Sequence, residues 1–174
     1  MVIVLPHWGT EYVYTPDSNQ NYWTQLFLSL GVDVVIGTHP HVLEPVEVVT
    51  DTKGHEMLVY YSLGNFVSNQ DQKPRMIGGM AKMTLVKDET GCYVKNYNLT
   101  PVITQKLFGP KAITTYKLSD YTESLASGNA IRNDSGCYDF SLSYCQTLIK
   151  QILGDDYDES TSELNVSLHP DGLV

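Results

Sequence analysis

The sequence predicts an α/β fold in which a parallel strand-helix-strand unit is followed by antiparallel hairpins. Three observations carry this. Val2 to Leu5 and Val32 to Gly37 are short apolar runs rich in β-branched residues, interrupted only by Asp33, the pattern of strands buried on both faces. The segment between them has helical spacing. From residue 43 onward the apolar period changes to two.

The first strand is stopped by Pro6, and His7 follows at once. Pro16 and Asp17 are helix-start signals, Tyr22, Trp23, Leu26, Phe27 and Leu30 recur on one face, and Gly31 is placed to end the helix. The second strand leads into Thr38-His39-Pro40-His41. Two parallel strands joined by a helix present both carboxyl ends on one sheet edge, where open α/β sheets hold their ligands, so His7, His39 and His41 are expected to converge there.

Next, EPVEVVT, the turn DTKGHE and MLVYYSLGNF form one hairpin. GGMAKMTLVKDETGCYVKNYNLTPVIT forms a second, turning at Asp88 to Gly91. Beyond residue 105 the pattern weakens until a helix over Phe140 to Leu153, with Leu142, Tyr144, Cys145, Leu148, Ile149 and Ile152 on one face. The end, GDDYDESTSELNVSLHPDGLV, is acidic and unpatterned and is expected to be a tail or loose cap. The organisation expected is a domain over 1–104, a helix-bearing extension over 105–153 and an acidic tail over 154–174.

With 174 residues the chain is long enough for one domain with a real core. Eleven basic against 20 acidic residues give a net charge of -9, and no Lys/Arg cluster is present to track a phosphate backbone, so nucleic acid is excluded as a partner. An anionic substrate would need bound cations to reverse the local potential. No apolar run approaches the roughly 18 to 20 residues of a membrane-spanning helix. Cys92, Cys137 and Cys145 fit one bridge with a free thiol or three free thiols, and leave the compartment undecided.

Neutral imidazole is a good ligand for Zn, Mn, Fe or Ni, and three histidines within a few ångströms can hold one ion or share two. On a regular strand His39 and His41 would share a face. In a loop shaped by Pro40 they address two neighbouring points, which suits a pair of metals. Glu11 and Tyr12 lie just past His7, where they can bond an imidazole or touch substrate. Gly64 and Asn65 are expected to fix a turn, since Asn tolerates left-handed geometry. His55 and His169 are expected at the surface.

The run LPHWGTEYVYTPDSNQNYWTQLFLSLGVDVVIGTHPHVLEPVEVV, followed by VYYSLGNFVSNQ, resembles the CapA-type poly-γ-glutamate capsule synthesis proteins, a branch of the calcineurin-like metallophosphoesterases. The likeness covers about residues 2 to 104. It implies a four-layer αββα sandwich with a two-metal site, in which His7 and His39 bind one divalent ion (Mn, Fe or Zn) and His41 the other. The superfamily pattern opens with an Asp-bearing strand, then Gly-Asp and Asn-His, and these are absent here. The chain is therefore expected to be the C-terminal half of such a domain, holding one metal or none, inactive alone and without an assignable general acid.

The function implied is that of a metal-dependent hydrolase in capsule or poly-γ-glutamate biosynthesis, acting on an anionic polymer or a phosphoester or amide. Other capsule synthesis proteins would be its partners, and its location extracytoplasmic or membrane-associated. The alternative is a non-catalytic accessory or binding subunit that exports or tethers an anionic polymer. A third reading is a half-domain without metal. An exposed sheet edge would favour a homo-oligomer.

Overall fold

The structure, a computed structural model, describes residues 1–89, 91–108 and 112–169. In chain order the elements are β1 (Ile3–Val4), α1 (Ser18–Ser29), β2 (Val34–Ile36), β3 (Val46–Thr50), β4 (Glu56–Tyr60), β5 (Ile77–Asp88), β6 (Gly91–Lys106), β7 (Ile113–Lys117), α2 (Glu123–Ser127), α3 (Leu142–Leu153), β8 (Tyr157–Asp158) and β9 (Glu163–Ser167), with short 3₁₀ turns between some of them. The fold is mixed α/β.

The first sheet has the order β1-β2-β4-β3, with β1, β2 and β4 parallel and β3 antiparallel to β4. In the second, β5-β6-β9-β8, β7 also pairs with β6. α1 begins where Asp17 accepts the Gln20 backbone N–H and the Gln20 side chain accepts the Asp17 N–H, a capping box. It ends at Gly31, whose φ of 75° only glycine adopts freely.

Two apolar clusters place the layers. Val35, Met57, Val59 and Tyr61 on one face of the first sheet pack with Trp8 and Leu28, and with Phe27 of α1. Val34, Leu58 and Tyr60 on its other face pack against Ile77, Leu99 and Ile103 of the second sheet, and the cluster continues to Phe140, Cys145 and Ile149. The layers thus run α1, first sheet, second sheet, with α3 closing the larger cluster. All three cysteines are free thiols, Cys92 exposed and the other two buried.

Four expectations need correction. The first strand is not buried on both faces: Ile3 is 44% and Leu5 73% exposed, because β1 is an edge strand with no neighbour on its far side among the described residues. In α1 the buried stripe is Gln20, Thr24 and Leu28, while Tyr22, Trp23 and Leu30 face outward. The segment expected as an acidic tail turns back at β8 and adds β9 to the edge of β6, with Leu164 opposite Leu99; residues 170–174 of it lie outside the described residues. His55 and His169 are half-buried, His55 with Nε2 2.9 Å from the Val32 carbonyl and His169 with Nε2 3.0 Å from Glu56.

Candidate metal centre

The register of β1 against β2 brings the histidines together. Ile3 pairs with Val34 and Val4 with Val35, and the same offset persists beyond the strands, where His7 bridges Thr38. The Thr38 N–H donates to the Pro6 carbonyl at 3.1 Å and the Trp8 N–H to the Thr38 carbonyl at 3.0 Å. Trp8 pins this exit: its ring is buried against Phe27 and Tyr61, and its Nε1–H donates to the Tyr61 carbonyl at 2.9 Å. Gly37 lets that bond form, since a Cβ there would lie 2.0 Å from the Tyr61 oxygen and 2.3 Å from Trp8 Nε1. The two chain segments leave the sheet side by side. The His7 and His39 ring centroids are 4.4 Å apart and those of His39 and His41 6.3 Å.

The backbone here is unusual. Of the non-glycine residues with positive φ, three stand in the site: Tyr12 at 69°, His39 at 112° and His41 at 61°. Such conformations cost of order 1–3 kcal/mol each and persist where the surroundings over-determine them. Pro40 between the two histidines is buried, and its carbonyl accepts the Tyr12 N–H at 2.8 Å.

Asn65 fixes the chemistry of His41. Its Nδ2 donates to the His41 carbonyl at 3.1 Å and to the Arg75 carbonyl at 3.0 Å, so its Oδ1 must be the atom 2.9 Å from His41 Nδ1. An oxygen there requires His41 Nδ1 to carry hydrogen, which leaves the Nε2 lone pair as the free ligand atom of the neutral ring. Nε2 faces Glu11 Oε1 at 3.7 Å. A lone pair opposed to a carboxylate is an arrangement that a cation between them relieves. Asn65 thus does more than the turn role expected of it, and it has no positive φ: Gly64 takes the left-handed geometry at 61°. The Tyr12 ring lies nearly parallel to that of His41, at 24° and 6.2 Å between centroids, and the Arg75 guanidinium carbon sits 3.6 Å from the Tyr12 ring centroid.

Behind the histidine loop, Glu44 is fully buried. Its Oε2 accepts from Gln20 Nε2 at 2.6 Å, while Oε1 has no hydrogen-bond partner among the described residues. Burial pushes its carboxyl up to about 7, against the Gln20 bond and with help from the nearby charge of Asp17. Asp17 goes the other way, held below the ordinary aspartate value by the Thr10 hydroxyl and the Gln20 N–H. A chain of bonds therefore ties the loop after His41, through Glu44, Gln20 and Asp17, to Thr10 on the loop after His7.

His7 is exposed, while His39 and His41 are half-buried. Glu11 and Tyr12 both reach His41 rather than His7. Among the described residues no three His, Cys, Asp or Glu side chains stand in an arrangement that would by itself hold a metal ion. The side chains near one another, three imidazoles and one carboxylate, are of the donor types that divalent cations take. A groove of about 760 Å³ elsewhere, lined by Lys82, Asn98, Thr100, Lys117, Glu163 and Asn165 of the second sheet, contains none of the three histidines. Sequence reasoning missed Arg75 and Glu44. Neither has a local signal, Arg75 being one cation in an unpatterned loop and Glu44 a carboxylate in a run that alternates apolar and polar residues.

Residues 1–70 match the family model described as bacterial capsule synthesis protein PGA_cap. The chain is 35% identical over 102 residues to the PGA biosynthesis protein CapA of Bacillus subtilis (strain 168), a match covering 59% of this chain and 24% of that protein. It is 37% identical over 70 residues to the capsule biosynthesis protein CapA of Bacillus anthracis, covering 40% of this chain and 16% of that one. The matches thus span about a quarter or less of these relatives. The aligned 70 residues contain His7, Glu11, Tyr12, His39, His41, Glu44 and Asn65. Residues 1–70 are thus similar to the bacterial capsule synthesis proteins described by the PGA_cap family model.

Proposed function

We propose that this chain contributes the histidine edge of a metal-dependent, metallophosphoesterase-type hydrolase domain acting in capsule or poly-γ-glutamate biosynthesis. One observation carries it: imidazoles from two separate segments meet at the carboxyl ends of β1 and β2, and the one whose tautomer is fixed turns its free lone pair toward a carboxylate. His7 and His39 would hold one divalent ion, Mn, Fe or Zn, and His41 a second, with Glu11 beside it. A bound ion there would activate water and polarise a phosphoryl or acyl oxygen. It would also offset the repulsion between a chain of charge -9 and an anionic polymer substrate. The remaining donors of a two-metal site would have to come from outside the residues described here. An extracytoplasmic or membrane-associated location, and association with other capsule synthesis proteins or with a second copy along the β1 edge, belong to the same proposal.

The second reading is a non-catalytic accessory subunit that binds or tethers an anionic polymer. Titration calorimetry with Mn²⁺ and Zn²⁺, on the chain and on His39→Ala, tests the first reading. Binding that the substitution abolishes is the expected result, and equal affinity in both would overturn the site. Metal binding accompanied by hydrolysis of a chromogenic phosphodiester or a γ-glutamyl amide supports the hydrolase. Metal binding without either, in a longer protein that also carries the remaining donors, supports the accessory subunit.

A further inference from the structure

We infer that Arg75 is a positioning residue for His41, setting the imidazole's orientation and tautomer from two sides at once. The inference rests on the proposed metal role of His41 for its purpose, not for its geometry.

The first side is the backbone. Asn65 can present Oδ1 to His41 Nδ1 only while its Nδ2 is occupied, and the Arg75 carbonyl is one of the two acceptors that occupy it. The carbonyl is delivered by a short 3₁₀ turn, Lys73–Met76, with Pro74 in its first turn and Met76 fully buried, so it is rigidly placed. The second side is the guanidinium. It lies 3.6 Å from the centre of the Tyr12 ring and is held there by Nη1, which donates to Gln70 Oε1 at 3.0 Å and Asp71 Oδ1 at 2.9 Å. Tyr12 in turn forms the plate against which the His41 ring lies. The Tyr12 ring thus links the guanidinium to the imidazole.

A plate is needed because of the strain. Tyr12 and His41 both sit at positive φ, and Tyr12 is 39% exposed, so the local chain does not hold its ring against His41 unaided. A guanidinium over the ring, itself tied to Gln70 and Asp71, supplies that hold. Lysine over the same ring would keep the charge but lose the guanidinium and its two Nη1 bonds to Gln70 and Asp71. The carbonyl contribution survives any side-chain substitution at 75, so the side chain's share can be measured separately.

The test reads the imidazole directly. In wild-type protein, long-range ¹H–¹⁵N correlation at about pH 8.5, some two units above an ordinary imidazole, should show His41 as the Nδ1–H tautomer. His55, whose Nε2 faces the Val32 carbonyl, should show the Nε2–H form and serves as internal reference. In Arg75→Ala the His41 signature should move toward the Nε2–H form while His55 stays unchanged, and Arg75→Lys should fall between. Mn²⁺ affinity should drop by about tenfold or more, the usual scale for residues that orient a ligand. An unchanged His41 tautomer in Arg75→Ala overturns the inference. If the His55 signature is lost as well, the variant has unfolded, and Tyr12→Leu, which removes the plate and leaves the Arg75 carbonyl, decides by the same criterion. Since the tautomer is read without metal, a wild-type protein that binds no Mn²⁺ would sink the proposed function and leave this inference standing.

Discussion

Replacing Glu44 with glutamine should flatten the dependence of stability on pH through the neutral range. The carboxyl is fully buried with one oxygen unpartnered, and burial raises it from 4.5 in the unfolded chain to about 7. The folded state therefore keeps a proton that the unfolded state releases, so stability from this group is complete below the unfolded value and is lost as pH rises toward 7 and beyond. The full loss is about 3 kcal/mol, and between about pH 5 and pH 7.5 it is about 2.5 kcal/mol. At roughly 2–4 °C per kcal/mol for a chain of this size, wild type should melt about 5–10 °C lower at the higher pH through this group. Asp17 and Glu163 have lowered carboxyls and act with the opposite sign, losing stability only as pH falls below the ordinary carboxylate range, outside this window. Glutamine at 44 can still accept from Gln20, while its amide nitrogen replaces the unpartnered oxygen. That cost lowers stability at every pH without adding a slope. Melting curves of both proteins across the window, taken as a difference, isolate the group. Parallel curves would refute the account.

Three further outcomes are expected. Gly37→Ala should cost at least about 3 kcal/mol in urea unfolding, because the new Cβ would overlap the Tyr61 carbonyl and Trp8 Nε1. Asn65→Ala removes the partner of three groups around His41 and should cost about 2–3 kcal/mol, with metal affinity down about 10–100-fold by calorimetry. Asp17→Ala opens the capping box of α1 and should lower stability by about 1 kcal/mol, read from the urea midpoint, with the slope of the transition unchanged.

What the sequence revealed follows the range of the interactions involved. The exits of two apolar strands are local signals, and with the parallel crossover they were enough to bring His7 and His39 to one edge. The capping residue of α1 was legible for the same reason. The face of α1 was not, because pattern reading sends large apolar side chains inward, whereas here Gln20 turns inward to meet a buried carboxylate 24 residues away and Tyr22 and Trp23 stay out. β9 was missed because its alternation is short and its partner lies some 67 residues earlier, at Asn98 opposite Asn165. Asn65 was read as a turn because its neighbour Gly64 is one. Its bonds to His41 and Arg75 depend on how three segments meet, which no window of sequence displays.

β6 is paired with β5 along nearly its whole length and, on its opposite edge, with β9 at residues 96–99 and β7 at residues 102–106. Its amide hydrogens are thus the ones most enclosed by neighbours, and they should be the last to exchange with deuterated water. Because β9 docks on β6 across some 67 residues of chain, its pairing should form after the local β5–β6 hairpin.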